Sequence, residues 1–317
     1  MNSNNPLYFT LSDANFAPRT LAMLASMRKF DTTSDLIFVV VGELPEHFEQ
    51  AFEKIDVKIK FLHQLIDPTV LKQIQKSRSY LSALWTYPSI LLNSLIQNDC
   101  GHSDVVYLDA DLFFFGNPSW CWSEIPSGNI SIVRHNFSDR LAKEFPNSGE
   151  FNVSWVSMPT NEVGRLCAKL WSEECFALCP DIPVEHLGRT IYGDQRYLDT
   201  WPSIFGDAIT IFQNPGVGLA PWNYENYKID HDQFWMVDNH KLIFYHFSSH
   251  QFGFFLARKM GRTYSKVSSV PKRLYREYEK ELTLAASELG LSSWKSRYDP
   301  FLARLVNYSR RKFWLEG

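Results

Sequence analysis

The chain lacks the features that would place it in several common classes. Lys and Arg together number 32 against 35 Asp and Glu, a net charge of −3, so the basic footprint of a dedicated nucleic-acid binder is missing. No run of apolar residues is long enough to span a bilayer. The first residues, Met1 to Pro6, have neither the basic end nor the apolar core of a signal peptide. Five cysteines (Cys100, Cys121, Cys167, Cys175, Cys179) form no Cys-x-x-Cys; Cys175 and Cys179 could share a helix face, but without a second pair reduced, buried thiols are the better reading than a zinc site. The expected compartment is therefore the cytoplasm. Neither Gly-x-Gly-x-x-Gly nor Gly-x-x-x-x-Gly-Lys-Ser/Thr occurs, so the Rossmann dinucleotide and P-loop signatures are absent. There is no internal repeat and no low-complexity linker.

What is present is an alternation of strand and helix patterns. Apolar, β-rich runs at 7–11, 36–41 and 58–62 alternate with helical patterns at 18–30 and 46–54. A helical pattern over 80–96 contains Pro88, which should break or kink it. Further strands are expected near 130–133, 152–158, 207–212 and 242–245, with a helix over 161–174. Alternating strands and helices predict an α/β fold with a mainly parallel sheet covered by helices on both faces. From about Val270 the pattern changes to basic amphipathic helices, 271–286 and 300–314, so the chain divides into a catalytic unit, 1–269, and a helical C-terminal extension, 270–317.

The most telling stretch is Val105-Val106-Tyr107-Leu108-Asp109-Ala110-Asp111-Leu112-Phe113-Phe114-Phe115. Two carboxylates interrupt a buried-strand pattern. Unpaired burial would cost several kcal/mol each, so they must reach solvent at a strand end or hold a cation. Alternating oxygens suit a hard divalent ion such as Mg²⁺ or Mn²⁺, which leaves coordination places for phosphate. In parallel sheets ligands bind beyond the carboxyl ends of strands, where Thr10-Leu11-Ser12-Asp13-Ala14-Asn15 also falls. Read alone, that segment is a turn and helix cap.

Taken together and in order, these segments resemble the glycogenin-like glycosyltransferases, glycosyltransferase family 8, of GT-A fold. Tyr8 to Asn15 with the following helix is similar to the family's N-terminal motif. Val106 to Asp111 resembles its Asp-x-Asp strand, Phe151 to Val156 its Phe-Asn-Ser-Gly strand, Gly193-Asp194-Gln195 its Gly-Asp-Gln element, and Asn214 to Asn223 with Tyr245 to Ser248 its closing segments. The resemblance implies a Rossmann-like mixed sheet and a metal-dependent, retaining transfer of a sugar from a nucleotide diphosphate, a UDP-sugar, to a glycan or lipid-linked hydroxyl such as a lipopolysaccharide core. It implies Mn²⁺ or Mg²⁺ on Asp109, Asp111 and His246. It implies donor contacts by Thr10, Leu11, Ser12, Asp13, Asn15, Arg78, Ala110, Asn152 and Ser248, and sugar positioning by Asp194 and Gln195. The Pro- and Gly-punctuated segment 214–223, with Trp222 and Asn223, reads either as a loop that shapes the acceptor pocket or, equally, as a packed loop. Without the resemblance, Asp194 reads as a helix cap and His246 as a core histidine.

Two departures stand out. The family's closing His-Phe-x-Gly-x-x-Lys is here His246-Phe247-Ser248-Ser249-His250-Gln251-Phe252, without the Lys, so either another cation assists the leaving group, with His250, Arg258 and Lys259 as candidates, or the metal does more of it. Asn152-Val153-Ser154 lacks the family's Gly. These departures leave an inactive carbohydrate-binding or scaffold protein as an alternative. A phosphotransferase of the haloacid dehalogenase type is less well matched, because Phe113 stands where its Thr or Val would follow. The basic helices, carrying Lys272, Arg273, Arg276 and Lys280, then Arg304, Arg310, Arg311 and Lys312, suggest a peripheral position on the inner face of a membrane. The plainer reading is that they pack on the catalytic unit.

Overall fold

The structure is a computed structural model describing residues 5–98, 101–250 and 271–291. In chain order it begins with β1 (Pro6–Ser12), α1 (Ala17–Arg28), β2 (Asp35–Val40), α2 (Glu46–Glu53) and β3 (Lys58–Phe61). Three helices follow, α3 (Leu62–Leu65), α4 (Pro68–Ser77) and α5 (Tyr80–Gln97), then β4 (Asp104–Leu108), β5 (Leu112–Phe114) and β6 (Ile130–Arg134). Next come α6 (Phe145–Ser148), β7 (Phe151–Pro159), α7 (Glu162–Ala177), a hairpin of β8 (Val184–His186) and β9 (Arg189–Ile191), α8 (Trp201–Phe205) and β10 (Ile209–Ile211). A small antiparallel sheet of β11 (Ile229–His231), β12 (Trp235–Val237) and β13 (His240–Lys241) precedes β14 (Phe244–His246) and α9 (Lys272–Glu288).

Seven strands form the central sheet in the order β10-β6-β7-β4-β1-β2-β3. β7 runs antiparallel to β4 and β6, and the other neighbouring strands pair in parallel. The sheet is thus mixed and mainly parallel, with helices on both faces, as the strand-helix alternation predicts. The period of two decides the two cores. Tyr8, Phe38, Val40, Val106 and Leu108 share one apolar cluster with residues of α1, α2 and α9. Leu7, Phe9, Leu11, Ile37, Val39, Val105 and Tyr107 share the other with residues of α4, α5 and α7.

Several expectations need correction. The run 105–115 is not one strand. It breaks at Asp109-Ala110-Asp111 into β4 and β5, because Leu112 N–H donates to Asp109 C=O (3.3 Å) and turns the chain. Pro88 does not end α5, which runs through it from Tyr80 to Gln97. The proline removes one N–H donor, a helix-interior penalty of about 3 kcal/mol. Burial of Leu91, Leu92 and Ile96 on the same helix opposes it. The sequence pattern also gave no sign of α4, although Asp67 before Pro68 is a helix start: its carboxylate accepts from Thr69 N and Val70 N.

α9 matches the helical pattern at 271–286. Leu274, Tyr275, Tyr278, Leu282, Ala285 and Ala286 are buried, and Lys29 reaches Glu281 at 2.9 Å. The apolar stripe of α9 therefore faces the protein core and is not free to enter a bilayer, while Lys272, Arg273, Arg276 and Lys280 stay exposed. The expected helix at 300–314 lies outside the described residues. Among the described residues, no helix is long and apolar enough to cross a membrane.

α7 shows how local chemistry sets a boundary. Asn161 accepts from Gly164 N–H (2.9 Å) at the helix start, and its amide donates to Gly128 C=O (3.0 Å). Asn161→Ala is expected to lower stability by about 1 kcal/mol, the usual value of a lost N-cap. An unchanged urea midpoint would show that the cap contributes nothing.

Candidate functional site

The two acids of the Asp-x-Asp turn are held by backbone contacts on both sides. Asp109 N–H donates to Ser154 C=O on β7 (3.2 Å), and Phe247 N–H donates to Asp111 C=O (2.9 Å). β5 pairs with β14 in antiparallel register, with Leu112 opposite His246 and Phe114 opposite Phe244. His246 N–H also donates to Leu219 C=O (2.8 Å). This register delivers an imidazole from late in the chain to the acids. His246 Nε2 lies 2.9 Å from Asp111 Oδ1 and 3.6 Å from Asp109 Oδ2.

One ligand atom from each of these three residues lies within 4.8 Å of the others. Burial pushes the Asp109 carboxyl up, and His246 counters it only in part. Burial also works against Asp111, but the hydrogen-bonded imidazole outweighs it and holds that carboxyl below the ordinary range. For His246, burial acts downward and the two carboxylates outweigh it, so its pKa is raised. Tyr107, two residues upstream, donates its hydroxyl to Asp109 Oδ1 (2.8 Å), leaving Oδ2 turned toward His246. Two hard oxygens and one imidazole fit a divalent cation such as Mn²⁺ or Mg²⁺. Buried His246 Nδ1 has no hydrogen-bond partner among the described residues.

These residues open on a cavity of about 1440 Å³ at the carboxyl ends of β1 and β4. Of the expected donor residues, Leu11, Ser12, Asp13, Asn15, Arg78, Ala110, Asn152, Asp194, Gln195 and Ser248 line it, as does Trp222 from the acceptor pair. Asp13 is tightly fixed: it accepts from Asn15 N–H (2.9 Å), Phe16 N–H (3.0 Å) and the Tyr80 hydroxyl (2.7 Å). The Ser12 hydroxyl instead meets Thr20 Oγ1 at 2.7 Å. The Arg78 guanidinium donates to Thr86 Oγ1 and to Phe176 C=O. Burial pushes the Asp194 carboxyl well up. Gln195 Nε2 donates to Ser148 C=O (2.9 Å). Gly193, just before Asp194, has φ +63°, and a Cβ there would lie 3.3 Å from the Trp85 ring, so glycine suits both the backbone and the space.

Three expected residues do not line the cavity: Thr10, His250 and Asn223. Thr10 is fully buried in β1. Asn223 is buried, with its amide donating to His135 C=O and Gly218 C=O (both 3.0 Å) and accepting from Ala220 N–H (2.8 Å), so it shapes the loop. His250 is packed among Phe247, Tyr275 and Tyr278. Burial pushes its pKa down to about 3, so it is neutral and cannot supply the missing lysine's charge. Arg258 and Lys259 lie outside the described residues.

Sequence reasoning missed Tyr107, Trp85, Tyr192 and His135, all of which line the cavity. Only Tyr107 carried a usable signal, the strand period that puts it on the same side as Asp109.

No family model matches the sequence. The chain is 30% identical over 189 residues to YfnD of Bacillus subtilis strain 168, an uncharacterised protein, and this match spans 59% of each chain. It is 25% identical over 255 residues to YfnF of the same organism, also uncharacterised, covering 77% of this chain and 81% of that one. Among solved structures, the galactosyltransferase LgtC bound to donor and acceptor sugar analogues superposes with a TM-score of 0.51 at 13% identity, over 87% of this chain and 96% of LgtC. The fold is that of the GT-A glycosyltransferases. The mixed, mainly parallel seven-stranded sheet follows this scheme.

His135 and His250 also give the protein a defined acid response. Burial pushes both imidazoles down to about 3, against an ordinary value near 6.5. Between these values the unfolded chain binds more protons than the folded one, so stability falls as pH drops below about 6.5. The expected loss from pH 7 to pH 5 is about 2 kcal/mol per histidine. Urea midpoints at the two pH values test this. His250→Phe should shrink the difference, and an undiminished difference would refute the assignment.

Proposed function

We propose that this chain is a metal-dependent, retaining glycosyltransferase that moves a sugar from a UDP-sugar to a hydroxyl of a glycan or lipid-linked acceptor. The observation that carries this reading is the meeting of Asp109, Asp111 and His246 inside a cavity roomy enough for a nucleotide sugar. A divalent ion held there would act as a Lewis acid for the negative charge that develops on the departing nucleoside diphosphate. Asp13, locked by Tyr80 and two backbone amides, offers a fixed carboxylate to the nucleoside. Asn152, Asp194 and Gln195 form the wall that positions the sugar. Burial pushes the Asp194 carboxyl well above the ordinary range, and its part is to position the sugar rather than to serve as a nucleophile. Trp222 presents an aromatic face to the acceptor, and holding that hydroxyl in place removes part of the entropic barrier.

UDP with Mn²⁺ should raise the thermal midpoint of the protein, and Mn²⁺ with a panel of UDP-sugars should give donor hydrolysis or transfer. No stabilisation by UDP at any Mn²⁺ concentration sinks the proposal. Tyr107→Phe removes the hydroxyl that orients Asp109 and should weaken Mn²⁺ binding about 10-fold, the lower end for a lost outer-sphere partner. Titration of the free ion by electron paramagnetic resonance reads this directly, and wild-type affinity in the variant would count against the role.

A further inference from the structure

We infer that His135 sets the sugar specificity of the cleft: its Nε2 accepts a hydrogen bond from a hydroxyl of the transferred sugar, so the donor carries a neutral, hydroxylated sugar and not a uronate. This inference rests on the nucleotide-sugar reading above and goes beyond it, because it names the class of sugar.

The argument starts from one hydrogen bond. His135 follows β6, is 4% exposed and lines the cavity. Its Nδ1 lies 3.0 Å from Gly149 C=O. A carbonyl oxygen only accepts, so Nδ1 carries the proton, and in a neutral ring Nε2 is left with a lone pair. Among the described residues no group hydrogen-bonds Nε2. The ring is clamped in place. It stacks on Phe137 (4.6 Å between centroids, 11° between planes) and meets Trp222 edge-on at 5.3 Å. The backbone is fixed as well, by His135 N–H donating to Glu150 C=O (2.8 Å) and by the Asn223 amide donating to His135 C=O (3.0 Å). The carboxamide of Asn223 thus acts here as a support rather than as an acceptor contact.

The result is a rigid, buried acceptor on a cavity that Asn152, Asp194 and Gln195 also line. Its apolar packing keeps the ring uncharged throughout the physiological range, with a pKa pushed down to about 3. A hydroxyl placed against Nε2 gains a hydrogen bond. A carboxylate placed there meets a lone pair and leaves water without a compensating charge, which is costly. The cations that line the cavity, Lys72, Lys76 and Arg78, belong to α4 and its C-terminal end, and the Arg78 guanidinium is held by Thr86 and Phe176.

The test compares UDP, UDP-glucose, UDP-galactose and UDP-N-acetylglucosamine with UDP-glucuronate and UDP-galacturonate, in Mg²⁺, on the full chain. At least one neutral donor should be hydrolysed with a kcat/KM well above that of the uronate donors. His135→Phe should lower kcat/KM for that donor about 10- to 100-fold, the range for a lost hydrogen bond in a dry site, and leave UDP affinity within twofold. His135→Gln, which restores an acceptor oxygen, should recover part of the loss. A readout on the wild-type protein keeps the inference falsifiable if the variants fold poorly: in long-range ¹H–¹⁵N spectra, the His135 Nε2 resonance should move on adding the neutral donor but not UDP. Uronate donors hydrolysed as well as neutral ones, full kcat/KM in a folded His135→Phe, or an Nε2 signal that no neutral donor moves beyond the effect of UDP overturns the inference while UDP binding still supports the glycosyltransferase reading. Failure of UDP to bind the wild-type protein overturns both.

Discussion

Asp111→Asn is expected to lower metal-dependent donor turnover by about 10³-fold or more, the scale on which a lost charge-stabilising group acts at a transition state. Asp111 is the acid that His246 Nε2 contacts at 2.9 Å, and its carboxyl is the one held below the ordinary range. Asparagine keeps the shape but removes the negative charge and the carboxylate that raises the imidazole's pKa. Two readouts separate chemistry from folding. Release of UDP from a UDP-sugar in Mn²⁺ reports turnover. The thermal midpoint with and without Mn²⁺ reports binding, where saturation at 100 times Kd stabilises the folded state by about 2.7 kcal/mol. The variant should lose most of the Mn²⁺-dependent rise while keeping its metal-free midpoint near that of the wild type. Turnover within a few-fold of wild type would mean that the acids serve the fold and not the reaction.

The second large effect lies beneath the site. Trp155 on β7 is fully buried. Its ring stacks on Phe244 of β14 (6.2 Å, 6°) and meets Tyr8, Trp122 and Phe212 edge-on at 5.8 to 6.0 Å. Its Nε1 donates to Ser131 Oγ (3.0 Å). Trp155→Ala should destabilise the protein by about 3–5 kcal/mol, as large-to-small changes at buried aromatics do. That is a substantial part of the 5–15 kcal/mol total typical of domains. The same substitution removes the surface on which Phe244 rests, two residues before His246, so Mn²⁺ affinity should fall together with the urea midpoint. Trp155→Phe should retain part of both. A Trp155→Ala protein as stable as wild type would show that the aromatic cluster around β14 repacks freely.

The parts of the molecule legible in sequence are those governed by local pattern. The period-two alternation of β1 and β2 and the helical spacing of α1 and α7 appear where the pattern puts them. The Asp109/Asp111 pair announced itself because two carboxylates conflict with an apolar strand. Contacts made at long range were not legible in this way. Nothing near His246 in sequence distinguishes it from a core histidine, and only the resemblance pointed to it; β5–β14 pairing is what turns it toward the acids. His135 and Trp85 had no local mark at all, since their importance comes from which cavity they border. Asn223 shows the converse, a polar residue in an aromatic, Pro-punctuated loop that reads as a ligand contact but folds inward to tie the loop's own backbone, at Gly218 C=O and Ala220 N–H, to His135 C=O.

The pairing of β5 with β14 has a consequence for how the protein comes into being. The two acids that would hold a metal are synthesised first, and the imidazole that would join them arrives only when a much later segment has paired with β5. Contacts of such wide sequence separation form late, because the chain must close a long loop first. A nascent chain on the ribosome therefore carries the acidic turn without its imidazole. Any metal capture by these three groups would be deferred until the last-made of them is in place.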